Sequence, residues 1–208
     1  MHRKKAEKRI FSLGYKCVAG IDEVGRGPLA GPVVSACVAL DPGHVFKDKE
    51  LKKIRDSKLL AEKTRERIYD LLMNEEIDIG IGFCPEKMID KVNIFQASFL
   101  SMQAALENML VEPDYVFIDG KFRLPDCPIR QEAVIGGDNK IFVIAAAGII
   151  AKVTRDRLMR KWHEHFPQYG FDRHKGYGTR LHEEMIKLHG PSPIHRKSFS
   201  PVSNWSRL

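Results

Sequence analysis

At 208 residues, with 43% hydrophobic and 29% charged side chains, the chain has the composition of a soluble globular domain able to bury a substantial core. Its longest apolar run, residues 141–151, is too short to cross a bilayer, residues 1–16 lack the apolar centre of a signal peptide, and the four cysteines (Cys17, Cys37, Cys84, Cys127) include no Cys-x-x-Cys pair. Membrane insertion, secretion and zinc or redox cysteine motifs are thereby disfavoured and a cytoplasmic location is expected. The net charge of +7 is uneven: residues 1–16 carry six Lys/Arg against one Glu, residues 152–208 carry twelve against five acids, and the stretch between is acidic. Basic ends around an acidic centre fit a polyanion held against a metal site.

In chain order, residues 1–15 read as a basic arm or short helix, with Gly14 as punctuation. Residues 16–22 are predicted as a strand that ends on two adjacent carboxylates, Asp22 and Glu23, and runs into the turn Gly25-Arg26-Gly27-Pro28. Residues 32–40, rich in β-branched and small side chains, predict a second strand antiparallel to the first. A polar loop follows and carries Asp56-Ser57-Lys58. Residues 61–74 place Ile68, Leu71 and Leu72 on one face of an exposed amphipathic helix, and residues 77–84 alternate as a strand does. Pro85 opens a short helical turn, and residues 93–110 form a longer helix. The apolar strand 115–118 ends at Asp119-Gly120, and a final strand over 131–135 leads into Gly136-Gly137-Asp138.

Residues 139–165 then predict a long helix, apolar at first and basic later. Its first half belongs in the core, while Lys152 and Arg155 are expected to reach the surface where nucleic acid would lie. Asp156 is expected to pair with Arg155, Arg157 or Arg160. Beyond Pro167 the composition shifts to Gly, His, Lys and Arg, with a helix over 179–189 closed by Gly190-Pro191.

The chemistry begins with Asp22 and Glu23. Neighbouring carboxylates repel unless a cation lies beside them, and oxygen ligands suit Mg²⁺ or Mn²⁺. The glycine-rich turn lets the backbone approach a ligand closely and sets one guanidinium beside the acids, which suits phosphate. Asp119 repeats the pattern of an apolar strand ending on a carboxylate next to glycine, and strand ends of this kind can meet if the strands are neighbours. Asp138 by itself reads first as a helix N-cap.

The stretch GIDEVGRGPLAGPVV closely resembles the first motif of the type 2 ribonucleases H, the bacterial ribonuclease HII family, and later segments extend the match over most of the chain. The resemblance implies an α/β ribonuclease H-like fold: a mixed five-stranded sheet flanked by helices, a catalytic core over 16–166, and a small basic C-terminal helical segment over 167–208 that completes the substrate site. It implies a four-carboxylate site of Asp22, Glu23, Asp119 and Asp138 holding two divalent cations, Mg²⁺ or Mn²⁺. It implies an endonuclease that hydrolyses the RNA strand of RNA-DNA hybrids and cuts at ribonucleotides embedded in duplex DNA, leaving 5′-phosphate and 3′-hydroxyl ends by a two-metal-ion mechanism.

Substrate contacts implied in the same way are Gly25, Arg26 and Gly27 around the ribonucleotide, Ser57 and Lys58 from the Asp-Ser-Lys loop, and Tyr177 of His174-Lys-Gly-Tyr-Gly-Thr179 beside the sugar. The chain departs from the family pattern at Val24 (usually alanine), Leu59 (commonly lysine) and Gly148 (usually serine); the first and third are expected to be packing changes. A monomer is expected, with a replication clamp as a partner left open. The rival readings are a DNA-directed nuclease or transposase-like enzyme on the same fold, and a hybrid-binding module without catalysis, which would require a broken acid set.

Overall fold

The structure, a computed structural model, describes residues 4–51, 54 and 60–205. Five strands form one sheet: β1 (Val18–Val24), β2 (Val33–Leu40), β3 (Ile79–Cys84), β4 (Tyr115–Asp119) and β5 (Arg130–Val134), in the order β3-β2-β1-β4-β5. β1 pairs antiparallel with β2, as the sequence predicts, and β2 with β3; β4 lies parallel to both β1 and β5. The sheet is therefore mixed, and β1 stands at its centre with its C-terminal end beside that of β4.

Side-chain alternation divides the core into two faces. Val18, Ala36, Val38, Tyr115 and Phe117 face α4 (Phe142–His165), together with Ile10 of α1 (Lys5–Ser12) and Ile68 and Leu72 of α2 (Glu62–Met73). Ala19, Ile21, Cys37, Val116 and Ile118 face α3 (Glu86–Glu107), meeting Met102 and Ala105. The first half of α4 is apolar all round because it lies against the sheet, and every residue from Phe142 to Ala151 is buried. α3 is two helices joined at Asn93, whose φ of 71° breaks the regular backbone. The Asn93 Oδ1 accepts from the amides of Phe95 at 2.9 Å and Gln96 at 3.1 Å, which caps the second helix. The separate turn and helix predicted around Pro85 and Asn93 thus have a shared cause.

α1 is docked rather than a free arm. Glu7 is buried and accepts from the Val143 amide at 3.1 Å, at the N-terminus of α4, where the helix dipole favours an anion. Burial nevertheless holds its carboxyl above the ordinary range. Arg9 reaches Glu132 of β5 at 2.8 Å.

The later part of α4 is less free for nucleic acid than its composition implies. Arg157 pairs with Glu66 and Asp70, and Arg160 with Glu62 and Glu66, all on α2. Asp156 pairs with Lys152 at 2.7 Å, one helical turn away, rather than with Arg155, Arg157 or Arg160.

The C-terminal region packs as a cluster of its own. Tyr169, Phe171 of α5 (Phe171–His174), Ile186 of α6 (Arg180–His189), Ile194 and Val202 of α7 (Val202–Trp205) surround Met159 of α4 and Leu29 and Ala30 of the turn after β1. α6 starts at a Thr179 cap, whose Oγ1 accepts from the His182 amide at 3.3 Å. Among the described residues no helix is long and apolar enough to cross a membrane.

Candidate active site

Asp22 lies on β1 one position beyond Ile21, which registers with Ile118 of β4, so Asp119 is its counterpart on the neighbouring strand. Strand parity points both toward α4, as Val18, Tyr115 and Phe117 do. Glu23 falls on the opposite parity, at the strand's end. Asp138 arrives from a short 3-10 turn, Gly137–Asn139, after β5. It does not cap α4: that helix begins at Phe142 with Ile141 in the cap position.

Burial raises the Asp22 pKa well above the usual carboxylate value, and the charges of Glu23, Asp119 and Asp138 raise it further. Burial also raises Glu23, with Arg26 acting against it and Asp119 adding to it. The four acids thus share one electrostatic neighbourhood. Among the described residues no three His, Cys, Asp or Glu side chains stand at the spacing of a metal-ligand cluster. Each carboxylate instead accepts from a protein donor: Asp22 from the Glu23 amide at 2.8 Å, Glu23 from Arg26 at 3.2 Å, Asp119 from the Gly137 amide at 2.7 Å, and Asp138 from Asn139 at 3.2 Å. An all-oxygen donor set of like charges, with Asp138 buried and Asp22 partly so, fits a hard divalent cation.

Gly148 on α4 lies against this centre. A β-carbon there would overlap Asp22 Oδ2, so the carboxylate occupies the space that a side chain at 148 would take. The departure from serine is a matter of packing, as expected, and what packs into the space at 148 is the Asp22 carboxylate. Gly148→Ala should displace the carboxylate without offering it a donor and lower kcat by roughly tenfold, whereas Gly148→Ser, whose hydroxyl can donate, should lose less. Steady-state rates of the two variants check this, and equal rates for both and wild type would refute it.

The turn after β1 curls back over α4. Gly25 has φ 95°, and a β-carbon there would strike Arg155. Gly27 has open space on its β side, with only the Tyr177 ring edge near, at 3.9 Å. Tyr177 is exposed, and Lys152 Nζ lies 5.9 Å from the centre of its ring. The structure thus brings Gly27 and Lys152 close to the Tyr177 ring. Ser57 and Lys58 lie outside the described residues.

Arg155 is not at the surface. It is fully buried and donates to the carbonyls of Pro32 and Ala30 at 3.0 Å each and of Lys175 at 2.9 Å. The expected direct contact with nucleic acid is corrected accordingly: a guanidinium can satisfy several carbonyls at once, and here the turn supplies them. Arg196, which the sequence reading passed over, is buried behind the same turn and donates to Gly25 O at 2.5 Å, Arg26 O at 2.9 Å and Gly31 O at 2.9 Å. Burial lowers Arg155 to about 10 and Arg196 to about 9. The only signal for Arg196 in the sequence is a His-Arg pair in a basic segment.

Buried imidazoles hold the Tyr177 loop. His182 Nδ1 lies 2.9 Å from Tyr177 O, His182 Nε2 lies 3.0 Å from His195 Nε2, and His195 Nδ1 accepts from the Ser192 amide at 2.8 Å. A carbonyl only accepts, so His182 carries its proton on Nδ1; its Nε2 then accepts from His195 Nε2–H. The chain of bonds runs one way, from Ser192 to Tyr177, and requires both rings to be neutral. Burial, with like-charge neighbours, lowers His182 to about 4 and His195 to about 3.

Residues 19–202 match the sequence profile of Ribonuclease HII. The chain belongs to the ribonuclease HII family. Ribonuclease HII of Acetivibrio thermocellus is 50% identical over 194 residues, covering 93% of this chain and 73% of that one. Ribonuclease HII of Bacillus pumilus strain SAFR-032 is 50% identical over 198 residues, covering 95% and 75%. Among solved structures, the ribonuclease H2 of Pyrococcus horikoshii OT3 superposes with a TM-score of 0.76 at 26% identity, covering 92% of this chain and 97% of that chain. The ribonuclease H-like fold and ribonuclease H endonuclease activity expected from the sequence follow from membership, and ribonuclease HII enzymes depend on divalent metal.

Proposed function

We propose that this ribonuclease HII hydrolyses the RNA strand of RNA-DNA hybrids and cuts at ribonucleotides embedded in duplex DNA, with Asp22, Glu23, Asp119 and Asp138 holding Mg²⁺ or Mn²⁺. The observation that supports this reading is that Asp22 and Asp119 end neighbouring parallel strands, with the charges of Glu23, Asp119 and Asp138 all acting on Asp22, beside a glycine-arginine-glycine turn whose Gly27 lies near the exposed Tyr177 ring. Bound there, divalent cations supply the acidity that activates a water and the charge that stabilises the leaving 3′-oxygen, giving 5′-phosphate and 3′-hydroxyl ends. The protein's own contribution is position. A 2′-hydroxyl both donates and accepts, so backbone groups of Gly25, Arg26 and Gly27 can recognise it, while the Tyr177 ring packs on the neighbouring sugar and fixes the register. Lys152, and Lys58 from the Asp-Ser-Lys loop, would meet phosphate.

The deciding experiment is cleavage of a labelled DNA duplex containing one ribonucleotide, in Mg²⁺, in Mn²⁺ and in EDTA, beside an all-DNA duplex. Cleavage at the ribonucleotide in metal alone supports the proposal; cutting of the all-DNA duplex would give way to the DNA-nuclease reading.

Tyr177 tests the register. Packing of the ring supplies most of its effect and the phenol oxygen less, by analogy with base stacking. Tyr177→Ala should lower the rate on the one-ribonucleotide duplex by roughly ten- to a hundredfold, and Tyr177→Phe much less. Initial rates that match wild type for both variants would make Tyr177 a loop residue only.

A further inference from the structure

Two buried cations stand directly behind the turn that is to face substrate. Arg196 spends its guanidinium on the carbonyls of Gly25, Arg26 and Gly31, and Arg155 spends its own on those of Ala30, Pro32 and Lys175. Among the described residues neither is within ion-pair distance of a carboxylate. A buried guanidinium without a counter-ion is costly unless its geometry is used, and packing alone could be met by an apolar side chain.

The geometry shows the use. In a trans peptide the carbonyl and the following N–H point in opposite directions. Drawing the carbonyls of Gly25 and Arg26 inward to Arg196 therefore turns the amides of Arg26 and Gly27 outward. Both residues are exposed, and Gly27 lies against the edge of the Tyr177 ring. Lysine could not do the same: it offers a point charge on a flexible stem, while arginine presents a planar fork that spans three carbonyls. Arg196 itself is anchored by its backbone, its amide donating to Leu29 O at 2.8 Å, and by the bridge between His195 and Ala30.

We propose that Arg196 is a positioning residue for ribose recognition: from the C-terminal segment it aims the Arg26 and Gly27 amides at the ribonucleotide, without touching the substrate itself. The inference rests on the substrate reading above. Arg155 supports the far side of the same turn.

The test separates aim from fold. Binding of the one-ribonucleotide duplex and of the all-DNA duplex is measured by fluorescence anisotropy in EDTA, alongside kcat and KM in Mg²⁺, for wild type, Arg196→Lys and Ile186→Val. The last loosens the same C-terminal cluster without touching the turn. Arg196→Lys should bring the two dissociation constants close to each other by weakening only the ribonucleotide duplex, and lower kcat by roughly ten- to a hundredfold, while Ile186→Val keeps the wild-type preference at a lowered Tm. A wild-type preference in Arg196→Lys, or an equal loss of preference in Ile186→Val, would overturn the proposal. Should Arg196→Lys not fold, Arg196→Ala is assayed with added guanidinium or ammonium ion. Recovery of preference with guanidinium alone supports the aiming role, and no recovery with either overturns it. If wild type itself shows no preference and cuts the all-DNA duplex, the substrate reading has failed instead.

Discussion

Asp119→Asn should abolish cleavage, by a thousandfold or more, in a protein that melts no lower than wild type. A loss of that size corresponds to about 4 kcal/mol of transition-state stabilisation. The amide is nearly isosteric, and its Oδ1 can still accept from the Gly137 amide, the 2.7 Å bond that holds the turn carrying Asp138. What it removes is a charge, one that a hard divalent cation requires and that otherwise repels Asp22. Asp22 should in consequence titrate nearer the ordinary carboxylate range. Rates in Mg²⁺ and circular dichroism on the same sample check this; a folded variant cutting at the wild-type rate would remove Asp119 from the proposed metal site.

The second large effect is acid lability. His182 has an unfolded-state value near 6.5 and a folded value of about 4. At pH 7 the ring is neutral in both states. As the pH falls below 6.5 the unfolded chain takes up a proton that the folded chain refuses, so stability is present above that value and is lost on the way down to the folded one. For His182 alone the loss by pH 4 is about 3 kcal/mol, and His195, lowered to about 3, adds to it. Groups raised by folding, Glu7 and Asp22 among them, act in the opposite direction, so the effect is read as a difference. His182→Gln should be less stable than wild type at pH 7 but show the shallower fall between pH 7 and pH 4 in denaturant titrations. Parallel curves for the two proteins would mean that the imidazole is charged in the fold.

The legible parts of this molecule were those written in neighbouring residues. Short apolar runs ending on Asp22 and on Asp119 mark strand ends because a buried strand must stop before it can expose a carboxylate. The break at Asn93 shows as a change of pattern after Pro85, and Thr179 and Gly190 bracket α6 with ordinary capping chemistry. That β4 lies beside β1 could not be read, since the pairing joins Val18 to Tyr115 and nothing local encodes it. Arg155 was misplaced because arginine in a basic helix is usually solvated; only the carbonyls of Ala30, Pro32 and Lys175, scattered in sequence, draw it inward. The histidines were read as part of a basic segment because composition carries no information about which rings are buried and neutral. Gly148 was visible as a departure, but its meaning required the position of Asp22.

The placing of β1 at the centre of the sheet has a consequence for how the chain folds as it is synthesised. β1 is among the first elements made, and its hairpin partner β2 follows at once, yet its other neighbour begins at Tyr115 and the helix that covers both starts at Phe142. α1, earlier still, docks onto that same helix through Glu7 and Val143. Closing such long loops before their contacts can repay the lost entropy slows folding and leaves apolar strand surface uncovered meanwhile. The nascent chain must therefore hold a sheet with one face uncovered until α4 has emerged.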